Sequence, residues 1–262
     1  MLFASINDVV LHYDYRRGGA GNPIVFVNSL GTDFRIWDDV ARLVAPARDA
    51  LVYDKAGHGL SDRSDRDDQL DTHVDHLSGL LDQLGIRKAI ICGLSVGGLI
   101  AQRLHSRRPD LLSGVILCCT GARIGSSEIW DQRIAGAANG LSTLADATMQ
   151  RWLTPAFHAS NSFQVAGYRN MFSRQPSDSY IDFCKILRAS DCTQDAREIA
   201  VPVLCIAGEQ DSATPPDVVR YLAGLIRNAR LRIIENAAHL PCIEQPEQFA
   251  TIVEDFFREC RI

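Results

Sequence analysis

Residues 89–107 read Ala89-Ile90-Ile91-Cys92-Gly93-Leu94-Ser95-Val96-Gly97-Gly98-Leu99-Ile100-Ala101-Gln102-Arg103-Leu104-His105-Ser106-Arg107. A short apolar run, Ala89 to Cys92, meets a glycine–serine–glycine turn, and a helix-forming pattern, Val96 to His105, follows at once. A short apolar run closed by glycine suits a strand buried on both faces. Passing from that strand straight into a helix puts Ser95 on a sharp bend. Small neighbours let the backbone close there and hold the serine in a strained conformation. The helix N-terminus beneath it favours negative charge. A bare G-x-S-x-G is a loose pattern; the strand before it and the helix after it make Ser95 a candidate nucleophile.

The same alternation extends in both directions. Val9 to Tyr15 reads as a strand, GGAGNP as a turn, and Ile24 to Val27 as a strand. Trp37, Val40 and Leu43 fall at helical spacing within Phe34 to Leu43. Ala50 to Tyr53 is a strand, Leu70 to Leu84 a helix, and Leu112 to Cys119 a strand. The rhythm stops near Gly121. From there to Ser190 the chain shows helix-length patterns, such as Ser142 to Leu153 and Tyr180 to Leu187. It resumes with strand Val201 to Ala207, helix Pro216 to Ile226, strand Leu231 to Ile234 and a closing helix Glu247 to Cys260. The expected architecture is α/β: a mostly parallel sheet flanked by helices with an inserted helical cap. Residues 1–120 and 191–262 form the core and 121–190 the cap.

At 262 residues and 46% apolar, the chain can bury a full core and carry such an insertion. Its 27 basic and 32 acidic residues, net −5, give no electrostatic reason to expect nucleic acid or an anionic membrane as partner. An anionic substrate would have to be held by local groups. The eight cysteines sit mostly in apolar runs and form no C-x-x-C pair, so neither zinc nor redox spacing is present. No leader pattern opens the chain, and no long uninterrupted apolar window occurs. The expectation is a soluble, reduced, cytoplasmic protein.

A serine needs a positioned base. Of the seven histidines, His239 lies in the loop Asn236 to Pro241, after the last expected strand and before the last helix. In a parallel sheet that is the carboxyl edge, where Ser95 also lies. His12 falls within a strand, and His73, His76 and His105 fall on helices, where a solvated or packing role is expected. His58 is kept as a substrate neighbour. The orienting acid should come from another strand end on the same edge. Asp211, after Gly208-Glu209-Gln210, is preferred over Glu209 because a buried orienting carboxylate suits the short side chain beyond the turn. The loop Asn28 to Asp33 follows the strand Ile24 to Val27, and the N–H groups of Leu30 and Val96 are the expected oxyanion donors.

Together these residues resemble the α/β-hydrolase family along the whole chain. The segment Tyr53 to Ser61 (YDKAGHGLS) resembles that family's turn after its fourth strand, with Asp54 structural rather than catalytic. Within the fold the chain is most similar to bacterial 3-oxoadipate enol-lactonases. The motifs carrying that likeness are Asn28 to Asp33, Gly93 to Leu99, Thr120 to Ser126 with Trp130, and Leu144 to Asp146 with Arg151-Trp152. Ala56 stands where that turn commonly has arginine, and Val96 where methionine commonly follows the nucleophile. The resemblance implies hydrolysis of a small-molecule lactone, 3-oxoadipate enol-lactone, by Ser95, His239 and Asp211 without metal or organic cofactor. It also implies that Arg123 and Trp130, at the start of the cap, hold the substrate. A carbon–carbon bond hydrolase of ring-cleavage products, a general carboxylesterase and a non-catalytic ligand sensor are the rival readings.

Overall fold

The structure is a computed structural model that describes residues 1–64 and 69–262. Seven strands form one sheet: β1 (Leu2–Ile6), β2 (Val9–Val27), β3 (Arg48–Tyr53), β4 (Ala89–Leu94), β5 (Leu112–Cys118), β6 (Val203–Gly208) and β7 (Arg230–Ile234). Their order is β1-β2-β4-β5-β6-β7, with β3 pairing β2 off that path. From β2 to β7 the neighbours along this path pair in parallel. Every residue of β4 and β6 is buried, as their unbroken apolar runs require.

Two features of the N-terminal region were not expected. Leu2–Ile6 is an antiparallel edge strand on β2. The turn between them places Asn7 at φ 51° and Asp8 at φ 68°, the left-handed pair of a two-residue hairpin. The GGAGNP segment does not separate two independent strands but lies within β2. Tyr13 to Arg16 pair with Tyr53 back to Ala50, and Ile24 to Val27 pair with Ala50 to Tyr53. The two halves of β2 therefore flank β3 in opposite senses.

Helices cover the sheet by burying one apolar stripe each. In Pro246–Cys260 the buried positions are Phe249, Ala250, Val253, Phe256 and Phe257, the spacing of one helical face. Between β5 and β6 the chain forms helices Ser127–Ala137, Ala145–Trp152, Pro155–Ser160, Ser162–Ser173, Ser177–Ala189 and Thr193–Arg197, with no strand among them. The Ser126 side chain caps the first of these and Thr154 the third, where Pro155 occupies the opening turn.

The helix histidines are not solvated: His73, His76 and His105 are all buried. His73 packs its ring 4.2 Å from that of Phe183, joining helix Leu70–Gln83 to the insertion. His105 Nε2 accepts a hydrogen bond from the Ala200 N–H. All eight cysteines are free thiols, seven of them buried. Among the described residues no helix is long and apolar enough to cross a membrane.

Candidate active site

β4 ends at Leu94 and the next helix starts at Val96, so a single residue makes the bend. That residue, Ser95, sits at φ 57°, ψ −118°, a costly conformation for any side chain but glycine. The bend is over-determined by its surroundings. Ser95 N–H donates to Cys118 O at 2.9 Å, and Ser95 O accepts from Gly98 N–H at 2.8 Å and from the Thr120 hydroxyl at 2.7 Å. The flanking glycines are forced by close approach. A Cβ on Gly93 would lie 2.2 Å from Gly97 O, and one on Gly97 would lie 2.3 Å from Val27 O.

On the same edge of the sheet, His239 Nδ1 lies 2.9 Å from Asp211 Oδ2, both side chains buried. Asp211 follows β6, and its Oδ1 accepts from the N–H groups of Ala213 and Thr214 at 2.8 and 3.1 Å. The Thr214 hydroxyl donates to Oδ2 at 2.7 Å. Burial pushes this carboxyl's pKa up, but the His239 imidazole and the Thr214 hydrogen bonds outweigh it and hold the pKa below the ordinary value. Asp211 is thus kept ionised against the ring. Glu209 is exposed and accepts from Asn236 N–H at 3.3 Å, away from His239. Ser95 and His239 line one cavity without a direct hydrogen bond between their side chains.

The histidine loop is itself anchored. Glu244 accepts from Ala238 N–H at 2.6 Å through Oε2, and through Oε1 from the Thr154 N–H and hydroxyl at 2.8 and 2.7 Å. Leu240 N–H donates to Trp152 O at 3.1 Å.

The loop after β2 is tied from several sides. Asn28 Nδ2 donates to Thr32 O, the Thr32 hydroxyl donates to Ser29 O at 3.0 Å, and Gly31 N–H donates to His58 Nε2 at 3.3 Å. His58 therefore buttresses this loop and does not line the cavity with Ser95. The buried Lys55 ammonium donates to Asn28 O, Asn28 Oδ1 and Ser29 O at 3.0, 2.9 and 3.1 Å. Neither Leu30 N–H nor Val96 N–H is taken by a partner among the described residues. Asp54 holds the following turn, accepting from His12 at 2.7 Å and from the N–H groups of Phe34 and Leu60 at 2.8 and 3.0 Å.

The cavity containing Ser95 and His239 measures about 330 Å³ and includes Leu30, Trp130, Trp152, Arg133 and Arg151 in its wall. Trp130 is in place, but its Nε1–H is spent on Ile124 O at 2.7 Å, so it offers its ring. Arg123 is not in the wall. It is exposed at the root of the insertion, with its charge felt by Asp191 at the other root. The cationic groups that do reach the cavity come from one and several turns further along the insertion. Arg133 lies over the Trp130 ring at 5.2 Å and donates to Tyr180 OH at 3.2 Å. Arg151 donates to Thr148 Oγ1 at 3.1 Å, while its buried Nε has no partner. Neither guanidinium meets a carboxylate among the described residues. Burial, with Arg133 nearby, pushes the Arg151 pKa down to about 10. Arg151 sits in a motif already noted as Arg151-Trp152; Arg133, on helix Ser127–Ala137, carried no signal in the sequence.

The chain matches the model of the alpha/beta hydrolase fold over residues 22–246. It is 33% identical over 252 residues to 3-oxoadipate enol-lactonase 2 of Acinetobacter baylyi, covering 94% of this chain and 92% of that one. It is likewise 33% identical over 237 residues to that organism's 3-oxoadipate enol-lactonase 1, covering 90% of this chain and 88% of that one. The crystal structure of the enol-lactonase from Burkholderia xenovorans LB400 superposes with a TM-score of 0.94 at 35% identity, covering 98% of this chain and 100% of that chain.

Proposed function

The chain belongs to the alpha/beta hydrolase fold family, and from that premise we propose that it hydrolyses 3-oxoadipate enol-lactone to 3-oxoadipate. Ser95 is the nucleophile, His239 the base and Asp211 the acid that orients it. Leu30 and Val96 supply the oxyanion N–H groups, and residues 121–190 act as a cap that selects the substrate. The observation that carries the reading is the pair Arg133 and Arg151, two guanidiniums without carboxylate partners among the described residues, facing the same cavity as Ser95. A lactone bearing one free carboxylate beside a flat ring supplies the missing anion, and Trp130 covers the ring.

Ser95 Oγ attacks the lactone carbonyl as its proton passes to His239 Nε2, and the imidazolium is stabilised by ionised Asp211. The oxyanion rests on two N–H groups. Collapse breaks the ring C–O bond; the enolate takes the proton back from His239 and becomes the ketone, which leaves the imidazole neutral again. Water, deprotonated by His239, then frees the acid from Ser95.

Loss of enol-lactone absorbance, with the lactone generated from muconolactone, tests this directly. Arg151→Met should raise KM for the anionic lactone about 30-fold or more, the effect of losing a partly buried charge partner. KM for an uncharged ester of similar size should stay within about twofold. Equal effects on both substrates would make Arg151 a packing residue and remove the main support for the lactone.

Metal chemistry can be tested separately. Cys119, Asp211 and His239 bring a thiol sulfur, a carboxylate oxygen and an imidazole nitrogen within 4.8 Å of one another, a donor set open to a soft divalent ion. Two of those atoms are hydrogen-bonded to each other, and burial raises the Cys119 thiol pKa, which keeps it protonated. Chelator treatment should therefore leave turnover unchanged. Loss of turnover on chelation, restored by a divalent ion, would count against the mechanism.

A further inference from the structure

We infer that Lys55 is a positioning residue of this hydrolase: its ammonium holds and polarises the Ser29–Leu30 peptide from behind, so that turnover depends on Lys55 staying protonated. The inference rests on the reading of Leu30 N–H as an oxyanion donor and deepens it. The decisive relation is covalent. Ser29 O, which accepts from Lys55 Nζ at 3.1 Å, belongs to the same peptide unit as Leu30 N–H. In a trans peptide the C=O and N–H point in opposite directions. A cation on the oxygen therefore sits at the opposite edge of the peptide from a developing oxyanion at the N–H. It fixes that plane and draws electron density away from the nitrogen, which makes the N–H a stronger donor. The Thr32 hydroxyl adds a second donor to the same oxygen at 3.0 Å.

The other two bonds from Lys55 set the approach to that peptide. They go to Asn28 O at 3.0 Å and Asn28 Oδ1 at 2.9 Å. An ammonium has three donors and no acceptor, and the site offers three oxygens. A neutral amine has two donors and a lone pair, so one of the three oxygens would face that lone pair. The arrangement is satisfied by the charged form alone.

The surroundings make that charge sensitive to pH. Burial pushes the Lys55 pKa down to about 7, opposed by the carboxylates of Asp54 and Asp33. Other titratable groups face it. His58 is pushed well below its ordinary value by burial and by Lys55, and it stays neutral as the acceptor for Gly31 N–H. His73 packs at 4.2 Å on Phe183, whose ring lies 5.5 Å from Nζ. Asp54 is engaged by His12 and two backbone N–H groups, and Asp33 is paired with Arg35 at 2.6 Å. As pH rises through the Lys55 pKa the third donor is lost, and turnover falls on the alkaline side.

The test uses p-nitrophenyl acetate, an uncharged ester that needs neither cap arginine, read at the p-nitrophenol isosbestic point across pH. Lys55→Met keeps the buried volume and removes the charge. Its kcat should drop about tenfold to a hundredfold, less than the loss on deleting a direct oxyanion donor, with KM within about twofold. Its alkaline limb should vanish. In the wild-type enzyme, NMR titration of the Lys55 side chain should give a midpoint coincident with the alkaline limb, far below the ordinary lysine value of about 10.4. This second measurement decides the matter even if Lys55→Met fails to fold. Ser95→Ala, run alongside, reports on the underlying reaction. Turnover lost in Ser95→Ala but unaltered in Lys55→Met, or a Lys55 that stays protonated while wild-type activity falls, overturns the role assigned to Lys55.

Discussion

Ser95→Ala should fold normally and lose on the order of 10³-fold or more in kcat on any ester the wild type cleaves. The expected retention of fold comes from the backbone. The bend is held by Ser95 N–H to Cys118 O, by Gly98 N–H and the Thr120 hydroxyl to Ser95 O, and by contact across Gly93 and Gly97. None of these uses the hydroxyl. The loss comes from removing the atom that forms the acyl intermediate, while the N–H groups and the cavity still bind substrate. KM should therefore change little. Thermal unfolding of the two proteins, compared with single-turnover acylation by an activated ester, separates stability from chemistry. A variant retaining even a tenth of wild-type turnover would exclude Ser95 as nucleophile.

His239→Ala should match the serine variant, and Ser95→Ala/His239→Ala should be hardly worse than either, because the residues act as one unit. Asp211→Asn should cost on the order of 10³–10⁴-fold in kcat. An amide at that position removes the negative charge facing the imidazolium and permits the wrong ring tautomer. It also reverses part of the hydrogen bonding from Ala213, Thr214 N–H and the Thr214 hydroxyl, all of which donate to Asp211. Glu209→Gln should leave kcat within about twofold, since an amide oxygen can still accept from Asn236 N–H at the surface. The ordering of the two carboxylate variants is the decisive result; a larger loss at Glu209 would reverse the assignment of the acid.

These residues were legible in the sequence because each stands at a strand end on one sheet edge, and a parallel sheet delivers such ends to one place. Gly93 to Gly98 needed only local spacing. Asp211 over Glu209 followed from side-chain length beyond a turn, and the structure brings Asp211 to His239. What could not be read depends on packing between segments distant in the chain. Arg133 and Arg151 reach the cavity only through the folding of the insertion; Arg151 belonged to a noted motif without a role assigned to it, and nothing in the local spacing of Arg133 marks it off from Arg123. Lys55 reads as a surface turn residue until the loop after β2 is laid over it. Edge strand Leu2–Ile6 is short, with outward apolar residues that hide its alternation. The GGAGNP segment has turn composition, yet β3 lies between its two arms.

The clasp of Glu244 on Ala238 and Thr154, with Leu240 N–H on Trp152 O, bears on how such a chain can diversify. Trp152 is part of the cavity wall, and Ala238 to Leu240 carries His239. A change that reshapes the wall near Trp152 is transmitted to the position of His239 directly through the Leu240 N–H bond to Trp152 O, and from neighbouring Thr154 through the Glu244 bonds to Ala238. On the proposed function, substrate choice and reaction rate are therefore not separable traits at that end of the cavity. Exchanging the insertion for that of a relative would succeed only if the graft carried its own acceptor for Leu240 N–H and a partner for Glu244.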